Sequence, residues 1–188
     1  MGYFDTQEGV NEYTKMAEGS DGRELIEKLK KHLKSGSTIL ELGMGPGKDL
    51  EILAESFQVT GSDSSALFLE RYRENHPDAD LIQLDAATMD TDHTFDCIYS
   101  NKVLQHLTKE ELKESLRRQA DVLDSHGLLF HSFWYGDKEE EELGLRFVYH
   151  SEASLARIIG DEYDIMDANR YAETDDEDSM YVVLRKIE

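Results

Sequence analysis

The chain has 188 residues, 39% of them apolar or aromatic, which suffices for one compact α/β domain with its own core and leaves no room for a second full domain. Its 20 basic and 41 acidic residues give a formal charge of −21, which opposes docking on phosphate backbones or anionic lipid, so neither nucleic acid nor a membrane is expected as partner. No apolar run approaches the roughly 20 residues that cross a bilayer, the opening MGYFDTQEGV has no secretory leader pattern, and Cys97 has no internal partner, which predicts a cytoplasmic protein.

Residues 1 to 19 show no sustained period and read as an arm, with Tyr3, Phe4 and Tyr13 to pack it on something. Asp21-Gly22-Arg23-Glu24 has the form of a capping box for a first helix whose apolar face is Leu25, Ile26, Leu29 and Leu33. Ser35 to Ser37 breaks that helix, and residues 38 to 42 form a short buried strand. Beyond a glycine cluster at 43 to 47, Leu50, Leu53, Ala54 and Phe57 fall on one helical stripe. A second strand covers 58 to 61, and Ser64 or Ser65 caps a helix that His76-Pro77 stops. Third and fourth strands follow at 81 to 84 and 95 to 100. Thr108 to Glu111 is a further capping box, leading a helix with Leu112, Leu116, Ala120 and Leu123 inward. A central fifth strand runs from 127 to 134, and the charged run 137 to 142 reads as solvated loop. Ser151 caps a short helix that Gly160 ends, and strands at 163 to 168 and 181 to 185 close the chain.

Strands alternating with helices imply βαβ units, hence a Rossmann-like three-layer αβα sandwich. The expected sheet has seven strands, mostly parallel, and ends in a C-terminal antiparallel hairpin because no helix separates the last two strands. Residues 1–188 are expected to be a single domain, with an arm and helix at 1–34, a cofactor-binding core at 35–134, and an acceptor-side loop, helix and final strands at 135–188.

Ligands of such sheets lie beyond the carboxyl ends of the strands. Glu41, Asp63 and Asp85 mark the ends of the first three strands, each 22 residues from the next. Gly43, Gly45 and Gly47 let the backbone turn tightly and approach a ligand, and Asp63 follows where an acidic residue can hold two ribose hydroxyls. The loop suits a dinucleotide poorly: G-x-G-x-x-G wants glycine where Lys48 stands, Pro46 removes a backbone donor, and a P-loop would need glycine at Leu42 and a hydroxyl at Asp49. S-adenosylmethionine carries adenosine without phosphate and a cationic sulfonium, which Glu41 tolerates.

In ILELGMGPGKDL at 39 to 50, VTGSDSS at 59 to 65, LIQLDAATMD at 81 to 90 and FDCIYSNKVLQHL at 95 to 107, the chain resembles the class I S-adenosylmethionine-dependent methyltransferases over roughly residues 20 to 134. The resemblance implies that Glu41, Gly43 and Gly45 surround the methionine part, Asp63 binds the ribose, Asp85 and Ala86 meet the adenine, and Ser100 and Asn101 lie by the methionine amino group. Ser64 and Tyr13 complete the candidate cofactor set. The implied reaction is in-line methyl transfer to an unidentified small molecule.

His106 is the candidate general base, because imidazole titrates near neutrality, and a candidate acceptor contact together with His131, Trp134 and His150. The arm with Tyr3 and Tyr13, and residues 137 to 145, are candidate lids. Scattered histidines and the lack of a cysteine pair argue against a metal. A nicotinamide-dependent oxidoreductase on the same sheet and a non-catalytic cofactor-binding module stand as alternatives, and the expected assembly is a monomer or homodimer.

Overall fold

The structure, a computed structural model, describes residues 2–187. Along the chain come α1 (Gln7–Met16), α2 (Arg23–Leu29), β1 (Thr38–Leu42), α3 (Lys48–Ala54), β2 (Gln58–Asp63), α4 (Ala66–Asn75), β3 (Leu81–Gln83), β4 (Phe95–Asn101), α5 (Lys109–Asp121), β5 (Leu123–Trp134), β6 (Glu139–Glu142), β7 (Leu145–Val148), α6 (Glu152–Ile159), β8 (Tyr163–Tyr171) and β9 (Ser179–Lys186). Seven strands form one sheet in the order β3-β2-β1-β4-β5-β9-β8. The five from β3 to β5 are parallel, while β9 runs antiparallel to both β5 and β8, so the expected C-terminal hairpin is present.

Alternation along the strands separates two cores. Leu40, Leu42, Ile98, Leu129, Phe133, Val182 and Leu184 face one way, against Leu112 and Leu116 of α5 and Leu155 and Ile158 of α6. Ile39, Cys97, Tyr99, Leu128, Phe130, Tyr181 and Val183 face the other, against Leu25, Ile26 and Leu29 of α2 and Ile52 and Leu53 of α3. Helices therefore cover both faces, which is why the inner strands read as nearly continuous apolar runs. Each fully buried Leu or Ile here contributes about 1.5–3 kcal/mol relative to exposure. Burial also pushes the Cys97 thiol well above its ordinary pKa, so it stays an inert core group.

Four local expectations are corrected. The arm is helical over α1, whose N-cap Thr6 accepts a hydrogen bond from the Gly9 amide at 3.1 Å. The N-cap of α2 is Gly22 rather than Asp21: the Gly22 amide reaches Asp49 Oδ1 at 2.6 Å, Asp21 Oδ1 accepts from the Arg23 amide at 3.0 Å without a reciprocal box, and the helix ends at Leu29. Ser65 occupies the N-cap of α4 without a capping bond, its hydroxyl donating instead to the Phe4 carbonyl at 2.6 Å. The charged run at 137 to 142 is no loop, since Glu139–Glu142 pairs antiparallel with Leu145–Val148 in a separate two-stranded hairpin. Its glutamates are exposed on the outside, which gave the segment its solvated character in sequence.

Candidate cofactor and acceptor site

Sequence order reverses where β1 lies between β2 and β4, and the carboxyl ends of these strands face two adjoining cavities of about 230 and 140 Å³. The first is lined by Gly43, Gly45, Asp63, Ser64, Asp85, Ala86 and His106, among others; the second by Glu41, Gly43, Asp49 and Asn101. Tyr13, Gly43 and Lys102 border both.

The glycine loop is held by its own backbone and by Asp63. Met44 N–H donates to the Ser62 carbonyl and Gly47 N–H to the Met44 carbonyl, both at 2.8 Å. Gly43 has φ +64°, and a Cβ there would sit 2.6 Å from both Val103 methyls. Gly45 has φ +49°, and a Cβ there would only touch the Tyr13 ring at 3.4 Å, so its glycine answers to the left-handed backbone. Met44 turns away into a pocket with Leu50, Leu69 and Leu81, and Gly61 leaves room for its sulfur.

Asp63 is buried at the tip of β2, accepting from the Gly45 and Ser65 amides, each at 2.9 Å. Burial raises its pKa, and the backbone donors partly offset this. Two amides fill about half of the roughly four acceptor positions of a carboxylate, leaving capacity for a pair of hydroxyls. Asp85 folds back on the Ala87 amide at 2.8 Å and Ser64 stays exposed, both on the wall of the larger cavity.

Glu41 is 4% exposed and its Oε2 has no hydrogen-bond partner. Burial, and then the charges of Asp49 and Asp63, push its pKa well above the ordinary carboxylate range. Asp49 is satisfied by the Gly22 amide, by Tyr99 OH at 2.8 Å and by Asn101 Nδ2 at 3.1 Å. This acidic floor opposes a pyrophosphate and suits a positive centre.

Asn101 borders the smaller cavity, whereas Ser100 is fully buried and faces His131. Ser100 Oγ donates to His131 Nδ1 at 2.8 Å, His131 Nε2–H donates to Gln119 Oε1 at 2.9 Å, Gln119 donates to Ser115 Oγ at 3.0 Å, and Ser115 reaches the carbonyl of Ala86. Burial holds His131 at a pKa of about 3, so it is neutral, with both ring nitrogens engaged. It acts as an internal strut toward Ala86 and lines neither cavity. Trp134 lies under the Lys102 ammonium, 3.7 Å from ring centroid to Nζ, and His150 is buried against Phe133 with centroids 5.1 Å apart; both are likewise absent from the cavity walls. His150 has its pKa lowered by burial to about 4.

His106 does line the larger cavity. Its Nδ1–H donates to the Arg146 carbonyl of β7 at 2.7 Å, which fixes the tautomer and leaves Nε2 as the lone-pair nitrogen. Burial depresses its pKa, and the carbonyl bond partly counters that. Around it, Phe4 packs edge-on to Tyr13 at 5.3 Å and lies 6.0 Å from Phe68 and 6.5 Å from His106. Phe68, Val103 and Leu107 were not singled out in sequence, because ordinary core spacing accounts for each, and Leu145 entered only as the end of a candidate lid. Lys102 was also missed, and its φ of +57° gives no signal in sequence.

Residues 39–127 match the family profile described as a methyltransferase domain. Over that stretch, just under half of its length, the chain is similar to methyltransferase domains. Among curated proteins, it is 38% identical over 78 residues to a trans-aconitate 2-methyltransferase of Paracidovorax citrulli, covering 39% of this chain and 30% of that protein. A counterpart from Rhizobium rhizogenes is 34% identical over 93 residues, 48% of this chain and 36% of the relative. The chain thus spans a minor part of the length of these relatives. Among solved structures, the domain superposes with a TM-score of 0.78 on the 1,6-didemethyltoxoflavin-N1-methyltransferase of Burkholderia thailandensis, at 18% identity, covering 95% of this chain and 83% of that one. An S-adenosylmethionine-dependent methyltransferase of Clostridium acetobutylicum gives a TM-score of 0.75 at 12% identity, covering 94% and 98%.

Proposed function

We propose that this methyltransferase-domain protein transfers a methyl group from S-adenosylmethionine to a small molecule. The observation that carries the reading is Glu41: a buried carboxylate with an unpartnered oxygen, beside Asp49 and Asp63, at the point where three strand tips and a bare glycine loop converge. A cationic donor fits that floor, whereas a nicotinamide dinucleotide would bring phosphates against three carboxylates. Asp63 would hold the ribose, Asp85, Ala86 and Ser64 the adenine side, and Glu41, Gly43, Gly45, Asn101 and Tyr13 the methionine side, with Ser100 supporting from below. When bound, the sulfonium supplies an already activated methyl group.

The chain's own contribution is positioning, worth about 7–11 kcal/mol when donor and acceptor are held in line. Tyr13 and Phe4 of the arm and Leu145 of the β6–β7 hairpin wall the larger cavity and exclude water. His106 Nε2 takes the proton of an acceptor that must lose one. Residues 1–188 act as one unit, as a monomer or homodimer, and the buried free thiol of Cys97 suits the reducing cytoplasm. Among the described residues, no helix is long and apolar enough to cross a membrane, and no group of three His, Cys, Asp or Glu is placed to hold a metal. The names of the curated relatives supply trans-aconitate as a comparison compound for the acceptor side.

Calorimetric titration with S-adenosylmethionine, S-adenosylhomocysteine and NAD tests the reading. The two sulfur compounds should bind, and Asp63→Ala should weaken both at least about thirtyfold, equivalent to ~2 kcal/mol for lost bonds to a charged acceptor. Binding of NAD alone would overturn it, and cofactor binding with no labelled methyl transfer into a metabolite extract would leave only a binding module.

A further inference from the structure

Resting on the reading just given, we propose that the acceptor is an uncharged aromatic molecule and that the site rejects carboxylates. The larger cavity joins two features. One wall is built from the rings of Phe4, Tyr13, Phe68 and His106, with Leu107 and Leu145 beside them. Rings set edge-on or tilted, with centroids 5.3 to 6.5 Å apart, offer a flat partner both faces and edges to pack on.

The second feature is the distribution of charge. The titratable side chains on the cavity wall are Tyr13, Asp63, Asp85, Lys102 and His106. Burial keeps His106 on the neutral side of its ordinary titration. Lys102, the cation on this wall among the described residues, is already committed: Nζ donates to Glu173 Oε2 at 2.7 Å and to Ser179 Oγ at 2.8 Å, and lies over the Trp134 ring. A carboxylate entering here would lose water, come near the negative charges of Asp63 and Asp85 that hold the cofactor, and find no free cation. Specificity of this kind comes as much from what a site repels as from what it attracts. Trans-aconitate, a tricarboxylate, is the sort of acceptor these walls exclude.

The test compares two isosteres that differ in charge, naphthalene-2-carboxamide and 2-naphthoate, with trans-aconitate as a third probe. Affinities are read by ligand-observed NMR on the full chain, with and without saturating S-adenosylhomocysteine, and on Leu145→Lys, a partly exposed hairpin position where a new cation leaves the core intact. The amide should bind at least about tenfold more tightly than the carboxylate, ~1.4 kcal/mol, and Leu145→Lys should shrink that ratio. Equal or tighter binding of naphthoate, measurable binding of trans-aconitate, failure of the amide to bind, or no response of the ratio to Leu145→Lys would each overturn the proposal. Titration of S-adenosylhomocysteine by itself reports on the methyltransferase reading separately, so the two can fail independently.

Discussion

Replacing Glu41 by glutamine isolates the charge at the floor of the site. The amide keeps the shape of the side chain and removes the ionisable carboxyl from a position 4% exposed, next to Asp49 and Asp63, where Oε2 has no donor. Leaving a buried polar group unpaired costs about 1–3 kcal/mol, and more when it is charged. The raised pKa sets the sign of the pH dependence. A carboxyl whose folded pKa lies above its unfolded value keeps its proton more readily in the folded chain, so stability falls as pH rises from the unfolded pKa through the folded one. Glu41→Gln should therefore melt higher than the native chain at pH 8 without cofactor, by about 2–4 °C per kcal/mol for a chain of this size. Below the ordinary glutamate pKa, where Glu41 is protonated in both states, the two melting curves should converge.

The same substitution separates charge from shape in ligand binding. S-adenosylmethionine is cationic at sulfur and S-adenosylhomocysteine is not, so loss of the Glu41 charge should weaken the former about three- to tenfold more than the latter, on the scale of a partly screened charge pair. Calorimetry with both ligands and scanning calorimetry across pH 4 to 8 read the two effects. Equal melting temperatures at pH 8, a gap that widens toward acid, or equal weakening of both ligands would refute the reasoning.

His106→Asn should lower kcat about 10²- to 10⁴-fold for an acceptor that loses a proton, and should abolish an acidic limb of the kcat/KM profile lying below the ordinary histidine pKa, since burial depresses the native group. Gln119→Leu leaves His131 Nε2–H and Ser115 Oγ without their partner, and should destabilise the fold by about 1–3 kcal/mol in thermal melts while weakening S-adenosylhomocysteine binding through the Ala86 carbonyl that Ser115 holds. Gly43→Ala forces a Cβ into a left-handed backbone and onto the Val103 methyls, for a combined loss of about 2–5 kcal/mol, part of which Val103→Ala should restore.

The strand-tip half of the candidate site is legible in sequence because each piece of it is local. A strand, a turn and an acidic tip occupy adjacent positions, and the parallel sheet then places successive tips side by side without further information. Glu41, Gly43, Gly45, Asp63 and Asp85 reach the walls of the two cavities that way. The capping box at Thr108 is legible for the same reason, and its reciprocal bonds to Glu111 are formed at 2.8 and 3.1 Å. Asp21 satisfied the same pattern, yet it holds only the Arg23 amide, and the N-cap falls to Gly22, whose own amide the buried Asp49 fixes from 27 residues away. Local chemistry decides only where no tertiary partner competes.

The aromatic half of the larger cavity is assembled from segments that know nothing of one another in sequence: Phe4 from the arm, Phe68 from α4, His106 from the turn after β4, and Leu145 from the hairpin. His131 and His106 show why residue type alone misleads there. Both are histidines near the carboxyl end of a central strand, yet alternation turns His131 inward onto Ser100 and Gln119, where its protons are fixed and its pKa falls to about 3. His106 stands one turn beyond its strand, and a hairpin that reads as a solvated loop in sequence supplies the carbonyl that fixes its tautomer. Whether a histidine is a strut or a base thus depends on which nitrogen a neighbour occupies, and that neighbour lies 40 residues away.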